Sequence, residues 1–189
     1  EVTGNLEFND NSGLQSINLP QLNQVEGRLF LHNNDNLTAV HWPNLATIGG
    51  RLIITHNETF TPDATSFPAL QTVVGEVSLQ FLPNANVEFL NNLSGTIEGL
   101  TIRESDNLTD LSGLEGITSI EGNISVSYSD SLTSLAGLNN LSSVTGSITV
   151  GFNDNLIDYC ALTTLANAGY SGNFTTQNNV YNPVWQDIV

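Results

Sequence analysis

Aliphatic residues at alternate positions follow a glycine about every 24 residues along nearly the whole chain. The instances begin Gly4-Asn5-Leu6-Glu7-Phe8, Gly27-Arg28-Leu29-Phe30-Leu31, Gly50-Arg51-Leu52-Ile53-Ile54 and Gly75-Glu76-Val77-Ser78-Leu79. They continue with Gly122-Asn123-Ile124-Ser125-Val126 and Gly146-Ser147-Ile148-Thr149-Val150. Glu98 takes the glycine's place before Leu100-Thr101-Ile102, and Gly172-Asn173-Phe174-Thr175-Thr176 ends the series. Alternation at period 2 predicts a strand with one face buried. Recurrence at a fixed, longer period predicts a solenoid, in which each turn buries its apolar face against its neighbours.

Two further apolar pairs complete each coil. One set is Leu14-x-x-Ile17, Leu37-x-x-Val40, Leu108-x-x-Leu111, Leu132-x-x-Leu135 and Leu156-x-x-Tyr159. The other is Leu22-x-x-Val25, Leu45-x-x-Ile48, Leu70-x-x-Val73, Ile117-x-x-Ile120 and Leu141-x-x-Val144. The expected fold is therefore mainly β: a parallel β-solenoid of about eight coils, with repeats over 4–174 and a C-terminal cap over 175–189, all in one domain spanning 1–189. The fourth coil is the least regular, and Val87-Glu88-Phe89-Leu90 predicts a short helix there. Cys160 to Ala166 predicts another, and Asn182-Pro183-Val184-Trp185 is expected to cover the last open edge.

Seven positions after each glycine stands a small polar residue: Asn11, Asn34, Asn57, Ser105, Ser129 and Asn153, with Leu82 the exception. Such a column belongs at an inner corner, where its side chains satisfy backbone groups that the bend leaves unpaired. These residues are expected to be structural.

Charge narrows the function. Nineteen acidic residues face three arginines and no lysine, for a net charge of −16. That surface repels phosphate backbones and anionic lipids, so neither nucleic acid nor a membrane is an expected partner. No apolar run reaches the roughly 18 residues of a membrane span. One cysteine, Cys160, rules out an internal disulfide and reads as a small buried thiol.

Written as L-x-x-I-x-G-x-L-x-V-x-x-N-x-x-L-x-x-L, the repeat resembles the receptor L-domain family, relatives of leucine-rich repeats. The phrases Asn34-Asp35-Asn36-Leu37-Thr38 and Ser66-Phe67-Pro68-Ala69-Leu70-Gln71-Thr72-Val73 look most like it. The ending from Asn178 to Ile188 looks like the close of secreted Bacteroidetes proteins that carry such repeats. The resemblance implies a right-handed β-helix and extracellular or cell-surface recognition rather than chemistry. The chain lacks the cysteines of the animal receptors, so hormone binding does not carry over.

The outward positions of the first strand, three, five and six residues after each glycine, form the expected binding face. Phe30, Ile53, Phe81, Arg103, Tyr128 and Phe152 are its candidate contacts, with exposed rings suited to sugar faces or a protein anchor. The acidic column Asp35, Glu58, Asp106, Asp130 and Asp154 reads as turn formers. Calcium held between Asp106, Asp130 and Asp154 is the alternative, and no cofactor is otherwise expected. His32 and His56 approach each other across adjacent coils without an evident third metal ligand. No paired carboxylates mark a glycosidase, so the chain is expected not to be an enzyme. The expected role is a recognition or adhesion module for a protein or glycan. A spacer in a larger secreted protein is the alternative, with ice binding a third reading of the Ser/Thr-rich end of the face. Seven Asn-x-Ser/Thr sequons, at Asn36, Asn57, Asn92, Asn107, Asn123, Asn140 and Asn173, arise largely from the repeat itself.

Overall fold

The computed structural model describes residues 1–188, so Val189, the last residue of the expected cap, lies outside the described residues. Eight parallel strands stack into one sheet: Leu6–Asn9, Leu29–His32, Leu52–Thr55, Glu76–Gln80, Gly99–Arg103, Ile124–Ser127, Ile148–Gly151 and Phe174–Gln177. They delimit about seven turns of a solenoid; the eighth strand leads into the tail instead of a further circuit. The pairing register joins equivalent repeat positions, as in Glu7 to Phe30, Phe30 to Ile53 and Ile53 to Ser78. It continues from Ser78 to Thr101, Ser125, Thr149 and Thr175.

The two apolar pairs form the remaining sides. Ser16–Asn18 pairs with Ala39–His41 on one side. Gln24–Val25, Thr47–Ile48 and Thr72–Val73 form a three-stranded sheet on the other, and Gly95–Ile97, Ile117–Ile120 and Ser143–Val144 form a second. The inward residues of all sides make one continuous core, from Ile17 to Leu165. Each buried Leu, Ile or Val contributes roughly 1.5–3 kcal/mol relative to exposure.

Close approach explains the glycine column. The N–H of Gly50 donates to Gly27 C=O at 3.0 Å, and that of Gly75 to Gly50 C=O at 3.0 Å. A Cβ on Gly75 would lie 2.7 Å from the Gly50 carbonyl carbon and 2.8 Å from the Arg51 nitrogen. Neither glycine has positive φ, so contact rather than conformation requires it.

The chain turns inward immediately after each main strand. There the structure departs from the expected face, because the position six after the glycine is a left-handed bend and not a further strand residue. Asp10, Asn33, His56, Phe81, Glu104, Tyr128, Phe152 and Asn178 all have φ between 50° and 59°. Asp, Asn and His tolerate this region; Phe, Tyr and Glu do so at a cost of about 1–2 kcal/mol each.

The polar column is the inner corner foreseen from the repeat. Each side-chain oxygen accepts the backbone N–H one coil earlier: Asn34 from Asn11 (3.2 Å), Asn57 from Asn34 (3.0 Å) and Ser105 from Leu82 (3.2 Å). Ser129 accepts from Ser105 (3.3 Å) and Asn153 from Ser129 (3.1 Å). The ladder runs one step further than expected: Asn179 Oδ1 accepts from Asn153 (3.0 Å), and Asn182 Oδ1 closes it on Asn179 (3.0 Å). Leu82 offers Asn57 no acceptor.

The helical expectations hold in short form. Glu88–Leu90 is a single 3₁₀ turn, and Cys160–Leu162 leads by another into a short α-helix, Thr163–Asn167. The tail folds back on the last coil. Thr176 Oγ1 donates to Pro183 C=O at 2.8 Å, and Trp185 packs on Tyr170 and Phe174 at 4.9 and 5.0 Å.

Cys160 is exposed, a correction to the buried reading, because it opens the cap helix on its solvent side. Asp158 beside it raises the thiol's pKa and so disfavours a reactive thiolate. The Asp158 carboxylate accepts from Cys160 N–H and Ser134 Oγ, each at 2.9 Å, and the backbone bond from Cys160 is the main cause of its lowered pKa. A lowered folded pKa stabilises above the unfolded value of about 3.9, and that stability is lost as pH falls through the folded value. Asp158→Ala is therefore expected to lower the urea midpoint at pH 7, with the gap to the parent closing as pH falls below about 4. A gap that stayed constant with pH would show that the carboxylate's charge contributes nothing. Among the described residues, no helix is long and apolar enough to cross a membrane.

Candidate functional site

The outward side of the eight-stranded sheet differs from the rest of the surface in charge. Its columns, taken at one, three, five and six positions after each glycine, carry all three arginines but only Glu7, Asp10, Glu76 and Glu104 of the nineteen acids. The rest of the chain holds fifteen acidic residues, Glu98 at the edge of this side among them, and no arginine. Arg28 pairs with Glu7 at 2.7 Å, and that hydrogen bond lowers the Glu7 pKa. Arg103 pairs with Glu104 at 2.8 Å.

All six candidate contacts lie on this side, and none of their five apolar members belongs to the core or packs against it. Register makes Phe30 and Ile53 direct neighbours. Phe30 stacks on His32 at 5.4 Å, and the Arg28 guanidinium lies 5.2 Å from the Phe30 ring. His32 and His56 do meet, edge to face at 5.5 Å, and His56 lies against Phe81 at 4.0 Å. One aromatic cluster thus covers the N-terminal half of the face.

A second begins at Arg103, whose guanidinium lies 5.1 Å from the Tyr128 ring. Tyr128 stacks on Phe152 at 4.7 Å with planes 4° apart. Arg103 and Phe152 both cover the Tyr128 ring, which is 40% exposed. That geometry suits a partner gripping the rim of the stack better than a sugar laid flat on Tyr128. A double-mutant cycle of Arg103→Ala with Tyr128→Ala is expected to return a coupling of about 0.5–1 kcal/mol. Zero coupling would mean that the guanidinium serves Glu104 alone.

No family model, curated protein or solved structure matches the chain. The residues themselves carry the functional reading.

The acidic column lies away from these rings. Asp35, Glu58, Asp106, Asp130 and Asp154 are exposed at the second position of turns. The corner residue closes each turn, as when Leu108 N–H donates to Ser105 C=O at 2.9 Å and Leu156 N–H to Asn153 C=O at 3.1 Å. Among the described residues, no three His, Cys, Asp or Glu side chains gather as metal ligands. Outward hydroxyls pair along a strand only at Ser125 and Ser127 among the eight, so the face lacks a regular Thr-x-Thr lattice.

The sequons are mostly occupied by structure. Asn57 is buried, and Asn36, Asn92, Asn107 and Asn140 donate to carbonyls of the preceding coil.

The sequence reading missed a hollow of about 350 Å³ at the start of the middle strands, bordered by Arg51, Glu76, Glu98, Thr101, Asn123 and Ser125. Its signal was present in the replacement of the repeat glycine by Glu98.

Proposed function

We propose that this chain is a non-enzymatic recognition module of the receptor L-domain type, acting outside the cell or at its surface. Its ligand, a protein or a glycan, binds the outward face of the eight-stranded sheet. The observation that carries this reading is the residue choice at the left-handed bends. Phe81, Tyr128 and Phe152 occupy strained positions where Asn or Gly would relieve the backbone. Their rings contribute nothing to the core. Residues kept against local preference and outside the core are those expected at a contact surface. The near-neutral balance of this face, three arginines against four acids, supports the same side, since the fifteen acids and no arginine elsewhere would repel acidic ligands.

The test is a screen of glycan and extracellular-protein arrays with the chain, beside the triple variant Phe81→Asn, Tyr128→Asn, Phe152→Asn. Asparagine suits the bend, so the variant is expected to melt no lower than the parent. Selective binding lost in the variant supports the reading. Binding that survives the variant would move the site elsewhere, and blank arrays for the parent would leave the rigid rod as a spacer.

A further inference from the structure

In the fifth coil the repeat's opening dipeptide is inverted. Seven repeats read glycine then a residue with a side chain, from Gly4-Asn5 to Gly172-Asn173, whereas this one reads Glu98-Gly99. The column that starts the outward face therefore runs Asn5, Arg28, Arg51, Glu76, Gly99, Asn123, Ser147, Asn173, with one side chain missing. The hollow of about 350 Å³ lies at that gap.

Packing does not demand this glycine. A Cβ on Gly99 would meet the Asn123 carbonyl oxygen and the Glu76 Cγ at 3.5 Å each, ordinary contacts. Its φ is not positive either. Gly75 and Gly122, which abut the backbone one coil earlier, offer the contrast. The empty space at Gly99 is thus a feature of the surface and not a by-product of coil stacking.

The groups around it are matched to hydroxyls. Glu76 accepts from Thr101 Oγ1 at 2.7 Å, and the Arg51 Nε lies 3.8 Å from its other oxygen, too far for a hydrogen bond. Both groups thus keep capacity for a ligand. Asn123 Oδ1 is taken by the Ser147 N–H at 2.8 Å, which leaves its Nδ2 to donate. Glu98 brings a second carboxylate, able to accept from two adjacent O–H groups. Donors and acceptors alternate around a hollow without an aromatic wall, a lining for a neutral polyol rather than an apolar or simply cationic ligand.

We infer that this notch binds one pyranose unit of a glycan, with Glu76 and Glu98 accepting from its hydroxyls and Arg51 and Asn123 donating. The inference rests on the sheet face being the recognition surface and names a ligand class for it.

The experiment is an NMR titration of the ¹⁵N-labelled full chain with methyl β-D-glucopyranoside, methyl β-D-galactopyranoside and methyl α-D-mannopyranoside. Putrescine serves as the cationic comparison. The expected result is that one glycoside shifts the amides of Gly99, Thr101 and Asn123, saturating in the millimolar range. Gly99→Asn places in the gap the residue that follows Gly122, and is expected to weaken that binding at least about tenfold while the melting temperature holds. If that variant melts early, Asn123→Ser carries the same test, since serine fills the equivalent place at Ser147. Amides unmoved by every glycoside, shifts seen only with putrescine, or shifts undiminished in the variant would each overturn the notch. The wider reading fails separately: array binding kept by Gly99→Asn but lost with the three ring substitutions discards the notch and leaves the face standing.

Discussion

Asn57→Ala is expected to be among the most destabilising substitutions in the chain, by about 3–5 kcal/mol, with Tm falling on the order of 10 °C. The side chain is 2% exposed and makes four hydrogen bonds. Its Oδ1 accepts from Asn34 N–H and Asn34 Nδ2, each at 3.0 Å, and its Nδ2 donates to Leu31 and Thr55 C=O at 3.0 and 2.9 Å. Truncation strands buried partners in two coils, each at a cost of about 1–3 kcal/mol. The position is doubly sensitive because Leu82 already interrupts the ladder on its far side. Asn11→Ala at the exposed first rung is expected to lose less than about 1 kcal/mol. Asn57→Ser is expected to fall between them, since the serines at 105 and 129 show that a hydroxyl can accept from the preceding coil. Chemical denaturation of the three variants checks the order, and equal losses at 11 and 57 would mean that the ladder is not a cooperative element.

The ladder and the sheet register were legible because both follow from one-dimensional repetition. Once Gly27, Gly50 and Gly75 are aligned, Phe30 must neighbour Ile53, and Asn34 must lie above Asn57, whatever the details of the bend. Asn179 stands at the same offset from Gly172, so the same signal extended to the last rung. What repetition did not convey was backbone sign. Asp10, Asn33 and His56 are residue types compatible with a left-handed bend, but Phe81, Glu104, Tyr128 and Phe152 in the same column mask it. The column therefore read as a continuation of the strand. Side-chain direction was lost with it: shared register placed Tyr128 beside Phe152, yet only the structure shows that Arg103 and Phe152 together cover the Tyr128 ring. The notch was hidden for another reason. Aligning on glycine treats Glu98 as a defect in the period, when the informative change is one residue later, where Gly99 empties the outward column.

The period itself yields the second large effect. Gly75→Ala is expected to cost about 2–4 kcal/mol although it adds a single methyl group. That methyl would sit 2.7–2.9 Å from three backbone atoms of Gly50 and Arg51, and backbone bound in a ladder cannot rotate away. The coils must part there, stretching the Gly75 N–H bond to Gly50 C=O and loosening the core beneath. Gly99→Ala is the control, because its methyl meets only contacts of 3.5 Å or more. With no close contact to relieve, alanine is expected to be neutral or to stabilise by up to about 1 kcal/mol through the unfolded chain's lost freedom. Thermal melts of the two variants separate the explanations of the repeat. A large loss at 75 with none at 99 means that coil spacing selects glycine and that the glycine at 99 has another purpose. Equal losses would return Gly99 to the packing and remove the strongest physical support for a ligand in the notch.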